Sequence, residues 1–235
     1  MDSSDSNKPQ LCDVTVMRID TSELASKHRR GRIELNNYNM DTLKIISNSD
    51  MDIELYIRDS NIRTIEVSGD TRLKLVTLEI HNSRVESGLD YLFKLDIANL
   101  VLDSVSLSEI ILKNKYNINV RLNNVKIRRL YLSKSTIKLY YVENTSVEIM
   151  DLSDVTFKST EKALKNLTAT CITKQLNNVG IIPLYTGNIK EGFVKYKIGE
   201  ILHKIKVRTK RKKILDKYLD IFNDTSEENQ ITLVV

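Results

Sequence analysis

Between residues 33 and 157, apolar and polar positions alternate in short bursts that return at a near-constant interval. Six segments align: IELNNYNM (33–40), LYIRDSNI (55–62), LEIHNSRV (78–85), LVLDSVSL (100–107), VRLNNVKI (120–127) and YYVENTSV (140–147). Their starts lie 22, 23, 22, 20 and 20 residues apart. Each is followed by a second apolar pair, clearest in IRTIEV, LSEIIL, IRRLYL and VEIMDL. Alternation at period two predicts short strands with one side chain in and the next out. A self-similar interval of this size predicts stacked repeats.

Reading down the alignment gives columns of like residues. One holds Ile33, Leu55, Leu78, Leu100, Val120 and Tyr140; a second holds Leu35, Ile57, Ile80, Leu102, Leu122 and Val142. A third, smaller in volume, holds Tyr38, Ser60, Ser83, Val105, Val125 and Thr145, and a fourth holds Met40, Ile62, Val85, Leu107, Ile127 and Val147. Every copy places a polar turn former between its strands: Asn37, Asp59, Asn82, Ser104, Asn124 and Asn144. Such residues tolerate turn dihedrals and can bond neighbouring backbone groups. One coil cannot bury its own inner face, but stacked coils make a continuous core. A slip of one residue would turn each apolar set outward, so the pattern fixes register. Helical periods of three and four are not read in this stretch. The expected fold is mainly β with some α: a parallel β-solenoid of about six coils.

From Leu102 the spacing tightens to five, through Leu107, Leu112, Asn117, Leu122, Ile127, Leu132, Ile137, Val142, Val147, Leu152 and Phe157. A twenty-residue coil of four five-residue sides resembles the pentapeptide-repeat family, which implies a right-handed quadrilateral β-helix. The resemblance covers about residues 33–157 and is one of spacing more than of residue types. That family prefers a small residue two places before each central Leu or Phe. Here Leu100, Ile110, Leu130 and Tyr140 stand there, beside small ones such as Ser135 and Thr145. Coils of 22 and 23 residues in the first half also depart from it, which leaves a wider, less regular solenoid open. LVTLEIHNSRV looks like a leucine-rich repeat, but the spacing leaves no room for a helix in each repeat.

The ends of such a stack need covering. Residues 1–32 read as an N-terminal cap: DVTVMRI (13–19) alternates like a strand, and Asp20 with Glu23 has capping-box spacing for a short helix stopped at Gly31. Residues 158–235 read as a helical region. Ser159 or Thr160 caps a helix to about Asn178, with Leu164, Leu167, Cys171 and Ile172 as its apolar stripe and Gly180 as its end. After the loop IIPLYTGN, Val194, Ile198, Ile201, Ile205, Leu215, Leu219 and Phe222 recur largely at threes and fours. A C-terminal helical hairpin is expected, followed by a strand-like ITLVV.

Composition narrows the class. Of 235 residues, 41% are hydrophobic and 29% charged, enough to bury a core, and seven Gly with two Pro exclude collagen-like and Pro-rich classes. No apolar run approaches the ~18 residues of a membrane span, and MDSSDSNKPQ is unlike a signal peptide. A soluble, intracellular protein is expected. Cys12 and Cys171 can form at most one bridge.

The net charge of +5 is unevenly spread. Residues 33–109 carry fourteen acids against seven bases, whereas 110–142 carry eight bases and no acid. Residues 158–235 carry fifteen bases and eight acids. Lys204, Lys206, Arg208, Lys210, Arg211, Lys212 and Lys213 form the densest run. It suits phosphates, an anionic membrane surface or a localisation signal, and equally a solvated helix face or loop. The belt 110–142 adds Arg121, Lys126, Arg128 and Arg129, with Tyr131 and Tyr141 read as outward and Tyr140 as core. Cations beside aromatic platforms suit single-stranded nucleic acid or a protein interface. Exposed Tyr is also simply a good strand former.

Catalytic chemistry finds no pattern to stand on. His28, His81 and His203 are scattered, no HExxH, Gly-rich phosphate loop or GxSxG occurs, and Glu34, Glu66 and Glu79 are not clustered. The expectation is a non-enzymatic scaffold, without cofactor or metal, that presents a rigid sheet face to a protein partner or to itself. The alternative is a nucleic-acid-binding protein using 204–213 and the belt 110–142.

Overall fold

The apolar columns become strands because each inward residue meets its counterpart one repeat away. The computed structural model describes residues 12–25, 30–48, 50–69, 73–184, 196–198 and 201–203. One parallel sheet runs in the order β2 (Arg30–Asn36), β4 (Asp52–Arg58), β6 (Lys74–His81), β8 (Asp96–Asp103), β10 (Tyr116–Asn123), β11 (Lys126–Glu143), β12 (Ser146–Ser159) and β13 (Thr173–Pro183). A second parallel sheet runs β1 (Cys12–Asp20), β3 (Tyr38–Ile46), β5 (Asn61–Ser68) and β7 (Arg84–Ser87), and β9 (Ser106–Lys113) pairs with the first half of β11. The protein is mainly β, these two sheets are parallel, and they are separate sheets that do not close on each other.

Register follows the repeat. Ile33 pairs with Leu55, Leu55 with Leu78, Leu78 with Leu100, and Leu100 with Val120. Leu35, Ile57, Ile80, Leu102, Leu122 and Val142 are all buried, as are Met40, Ile62, Val85, Leu107, Ile127 and Val147. Burial of each such side chain stabilises the fold by roughly 1.5–3 kcal/mol, so the columns dominate its energetics. Where serine stands in the third column, and at Ser135 outside it, the backbone supplies a reason for the small side chain. Ser60 Oγ accepts from Tyr38 N–H at 3.1 Å, Ser83 Oγ from Ser60 N–H at 3.0 Å, and Ser135 Oγ from Lys115 N–H at 3.1 Å. An inward hydroxyl thus satisfies a backbone donor one repeat earlier that strand pairing leaves free.

All six polar turn formers adopt left-handed backbone: Asn37 (φ 61°), Asp59 (49°), Asn82 (43°), Ser104 (54°), Asn124 (51°) and Asn144 (46°). Asn114, Lys134 and Asp154 do the same at 55°, 47° and 55°, so from Ser104 onward a sharp corner recurs every ten residues. The corners are tied across repeats, with Asn82 N–H donating to Asp103 O at 2.9 Å and Asn124 N–H to Glu143 O at 2.9 Å.

Several expectations are corrected. Tyr140 is 46% exposed, and Leu139, one residue earlier, fills the core column. Asn117 is exposed at φ 61°, and Ile118 takes the buried place in the five-residue series. The stretch 33–157 contains a helix, α2 (Leu89–Lys94), which buries Leu89, Leu92 and Phe93. It follows Gly88 at φ 91°, where a Cβ would lie 2.0 Å from Ile65 O, so only glycine fits. The N-terminal helix, α1 (Thr21–Ala25), is described over five residues, and Gly31 lies buried within β2 rather than ending it. Its entry is held by Asp20, whose Oδ1 accepts from Ser22 N–H at 2.9 Å and Ser22 Oγ–H at 2.7 Å.

The helix capped by Thr160, α3 (Glu161–Thr168), stops ten residues short of Asn178. Residues 173–183 form β13 instead, in parallel register with β12 from Ile149–Thr173 to Ser159–Pro183. Gly180 lies inside that strand and Ile172 is 79% exposed, so neither serves the helix. Leu164 and Leu167 do pack in the core, with Cys171 buried behind them. Beyond, Tyr196–Ile198 (β14) and Ile201–His203 (β15) pair antiparallel, so Ile198 and Ile201 belong to a β-hairpin, not to a helix. The remainder of the expected helical hairpin and ITLVV lie outside the described residues. Among the described residues no helix is long and apolar enough to cross a membrane.

Candidate interaction surfaces

The corners decide which candidate residues meet. The run Lys204, Lys206, Arg208, Lys210, Arg211, Lys212 and Lys213 lies outside the described residues. The belt 110–142 is longer than the ten residues between corners, so its charges fall on different sides of the corner at Lys134 and separate. Lys126, Arg128, Arg129 and Tyr131 lie between the corners at Asn124 and Lys134, paired with β9 and β12. Arg121 and Tyr141 lie beyond them, paired with each other between β10 and the second half of β11. Lys115 is 6% exposed and faces inward. Its ammonium donates to Lys94 O at 2.9 Å and Leu95 O at 2.5 Å, closing the C-terminus of α2 one repeat earlier, and burial lowers its pKa.

On the Lys126 side, two of the four candidates are committed to internal contacts. Arg129 grips Asp151 Oδ2 through Nε at 3.1 Å and a terminal nitrogen at 2.8 Å, which raises the guanidinium pKa. Tyr131 carries the Lys113 ammonium 5.0 Å above its ring. Lys126 and Arg128 are exposed and have no ion-pair partner among the described residues. They line a hollow of about 510 Å³ with Ser106, Ser108, Ser146, Glu148 and Ile172.

This hollow continues into a larger one of about 1060 Å³, the two sharing Ser106 and Ser108. The larger hollow runs along the corners Asn37, Asp59, Asn82 and Ser104, with Asn61, Arg84 and Glu86 beside them. Its floor is tied together by side-chain amides: Asn82 Nδ2 donates to Asp59 Oδ1 at 2.7 Å and Asn61 Nδ2 to Asn39 Oδ1 at 3.2 Å. A groove of hydroxyls, amides and both charge signs thus crosses successive strands. Sequence reading missed it, although the recurring Asn and Ser at the corners carried the signal.

The first sheet's outer face changes character along its length. Over β2 to β8 most of its charges are paired internally. Arg58 meets Glu79 at 2.7 Å, and His81 lies between Glu79 at 2.9 Å and Asp103 at 3.5 Å. Arg32 stacks 4.4 Å from the Tyr56 ring, and Tyr56 Oη donates to Glu54 at 3.3 Å. Burial, with Glu54 beside it, raises the Tyr56 pKa. Over β10 and the second halves of β11 and β12 the basic residues are Arg121, Lys138 and Lys158, with Tyr116, Tyr140 and Tyr141 exposed among them. Glu143, the acid on these rows, accepts from the Tyr141 hydroxyl, which raises the pKa of that phenol.

Among the described residues no group of three or more His, Cys, Asp or Glu is placed to hold a metal ion. No protein-family model matches the chain, and no curated protein or solved structure matches it.

Proposed function

We propose that this chain is a right-handed β-solenoid of about six coils, pentapeptide-like in spacing from Leu102 onward, and that it serves as a non-enzymatic scaffold. The parallel register at intervals near twenty and the corners every ten residues support the solenoid. Parallel crossovers are right-handed in nearly all proteins, which supports the hand. The groove from Asn37 to Ile172 carries the functional reading. Its walls are successive strands about 4.8 Å apart, so an extended protein segment lying across them meets a similar row of donors and acceptors at each step. Mixed charge along the groove suits a polar partner segment carrying both signs. Engagement of Glu79 by both Arg58 and His81 supports a structural role for that acid rather than a reactive one.

A photo-crosslinking side chain placed at Ser108, with one at Thr77 in β6, which does not line the groove, as comparison, tests the reading. The expected result is an adduct from Ser108 alone, either a dimer in purified protein or a larger species in extract. A monomer by light scattering together with no adduct from Ser108 would sink the scaffold reading.

A further inference from the structure

We propose that the outer face of β10, the second half of β11 and the second half of β12 binds single-stranded nucleic acid. This is separate from the groove, and it does not rest on the scaffold reading. Lys138 and Lys158 occupy directly paired positions in neighbouring parallel strands, and Lys138 pairs on its other side with Asn119. Like charges at directly paired positions are unfavourable, and no acid stands in either ladder position beside them. Among the described residues Lys158 donates only to the Asn117 side chain, at 3.2 Å. Arg121, in the next outward row, has no ion-pair partner among the described residues. A phosphate between these cations converts a local repulsion into charge-assisted hydrogen bonds.

The aromatic component is set by a distortion in the strand. An extra residue in β11 places Tyr140 outward beside Tyr141, at 46% and 43% exposure, and Tyr116 at the other end of β10 is 73% exposed. Bulges re-aim side chains in this way. Two adjacent rings that would alternate in and out on a regular strand therefore share one surface. Rings beside unpaired cations offer faces for bases and contacts for phosphates, and they discriminate by strandedness because duplex bases are already stacked. An acidic protein segment would use the cations but would leave the three rings without a role.

The test is fluorescence anisotropy on the full chain with labelled oligothymidylate of about 20 nucleotides, its duplex, and poly-glutamate, at several salt concentrations. The wild type is compared with Lys138→Glu/Lys158→Glu, Tyr140→Ala/Tyr141→Ala, and Lys126→Glu/Arg128→Glu from the other side of the corner. Single strands are expected to bind more tightly than duplex. Each variant of this face should lose about tenfold or more in affinity, while Lys126→Glu/Arg128→Glu stays within about twofold. Replacing Arg121, Lys138 and Lys158 together should flatten the slope of log K against log salt by about two. Three results would overturn the proposal: no binding, equal loss in the Lys126/Arg128 variant, or poly-glutamate binding as tightly with no dependence on Tyr140 and Tyr141. Circular dichroism of each variant separates lost binding from lost fold.

Discussion

Asn117 and Tyr140 are compensating insertions in neighbouring strands. Tyr116 pairs with Thr136, twenty residues on; Ile118 pairs with Ile137, nineteen on; and Arg121 pairs with Tyr141, twenty again. Asn117 is the surplus residue on β10 and Tyr140 the surplus residue on β11. Each is turned outward, and between them the interval contracts by one and recovers. The core column is therefore continuous through Val120 and Leu139, and what the irregularity alters is the outer surface.

This relationship gives a direct test of register. Leu139→Ala removes a fully buried side chain and should cost about 2–5 kcal/mol. Tyr140→Ala should cost about 1 kcal/mol or less, because the side chain that is removed is exposed. Urea unfolding of the two variants decides it, and a Tyr140→Ala loss equal to that of Leu139→Ala would restore Tyr140 to the core.

Much of the architecture was legible because the columns repeat. A register error would have to turn Leu35, Ile57, Ile80 and Leu102 outward together, so alternation identified all of them. What escaped has local physical causes. A one-residue bulge is invisible to interval counting, since both Leu139 and Tyr140 are plausible core residues and the interval of twenty selects the wrong one. Lys115 reads as a surface charge because the carbonyls that hold it belong to α2, some twenty residues earlier. In β13, Leu176, Val179 and Ile181 continue the inward series, but Leu164, Leu167 and Cys171 before them have helical spacing and extended the helix across the boundary. The basic belt looked like one patch because adjacency in sequence was taken for adjacency on a face. The corner at Lys134 divides it.

The corners should respond to substitution as left-handed residues do. Asn124 has φ 51°, and its amide donates to Ser104 Oγ at 3.2 Å. Asn124→Val forces a β-branched side chain into this region and should cost about 1–2 kcal/mol or more. Asn124→Gly loses only an exposed hydrogen bond and gains backbone freedom, so it should change little. Equal losses from the two substitutions would mean that the side chain, not the backbone angle, holds the corner.

The Arg129–Asp151 pair should be asymmetric. The Asp151 side chain is 9% exposed and that of Arg129 48%. Asp151 Oδ1 is buried without a partner in the described structure, so Oδ2 and its two bonds from Arg129 carry the carboxylate. Arg129→Ala leaves a buried charge uncompensated, whereas Asp151→Asn leaves a guanidinium that water can reach. The urea midpoint should fall further for Arg129→Ala than for Asp151→Asn. A reversed order would show that Arg129, not Asp151, is the desolvated member.

The two cysteines should differ sharply in reactivity. Cys12 is exposed, whereas Cys171 is buried behind α3 with its thiol 3.4 Å from Leu167 O, and both are free. Burial pushes the Cys171 thiol from its ordinary 9.0 up to about 11, so the nucleophilic thiolate is scarce at neutral pH. A thiol reagent at pH 8 should therefore modify one equivalent quickly in the native protein and two in denaturant, with Cys12→Ser abolishing the fast phase. The same shift has a sign for stability. Between 9.0 and about 11 the unfolded thiol has lost its proton while the folded one keeps it. Stability present below that window should thus fall as pH rises through it. Cys171→Ala should flatten that part of the profile in urea titrations at stepped pH. An unchanged slope would assign the alkaline loss to other groups, and rapid native labelling of both thiols would place Cys171 at the surface.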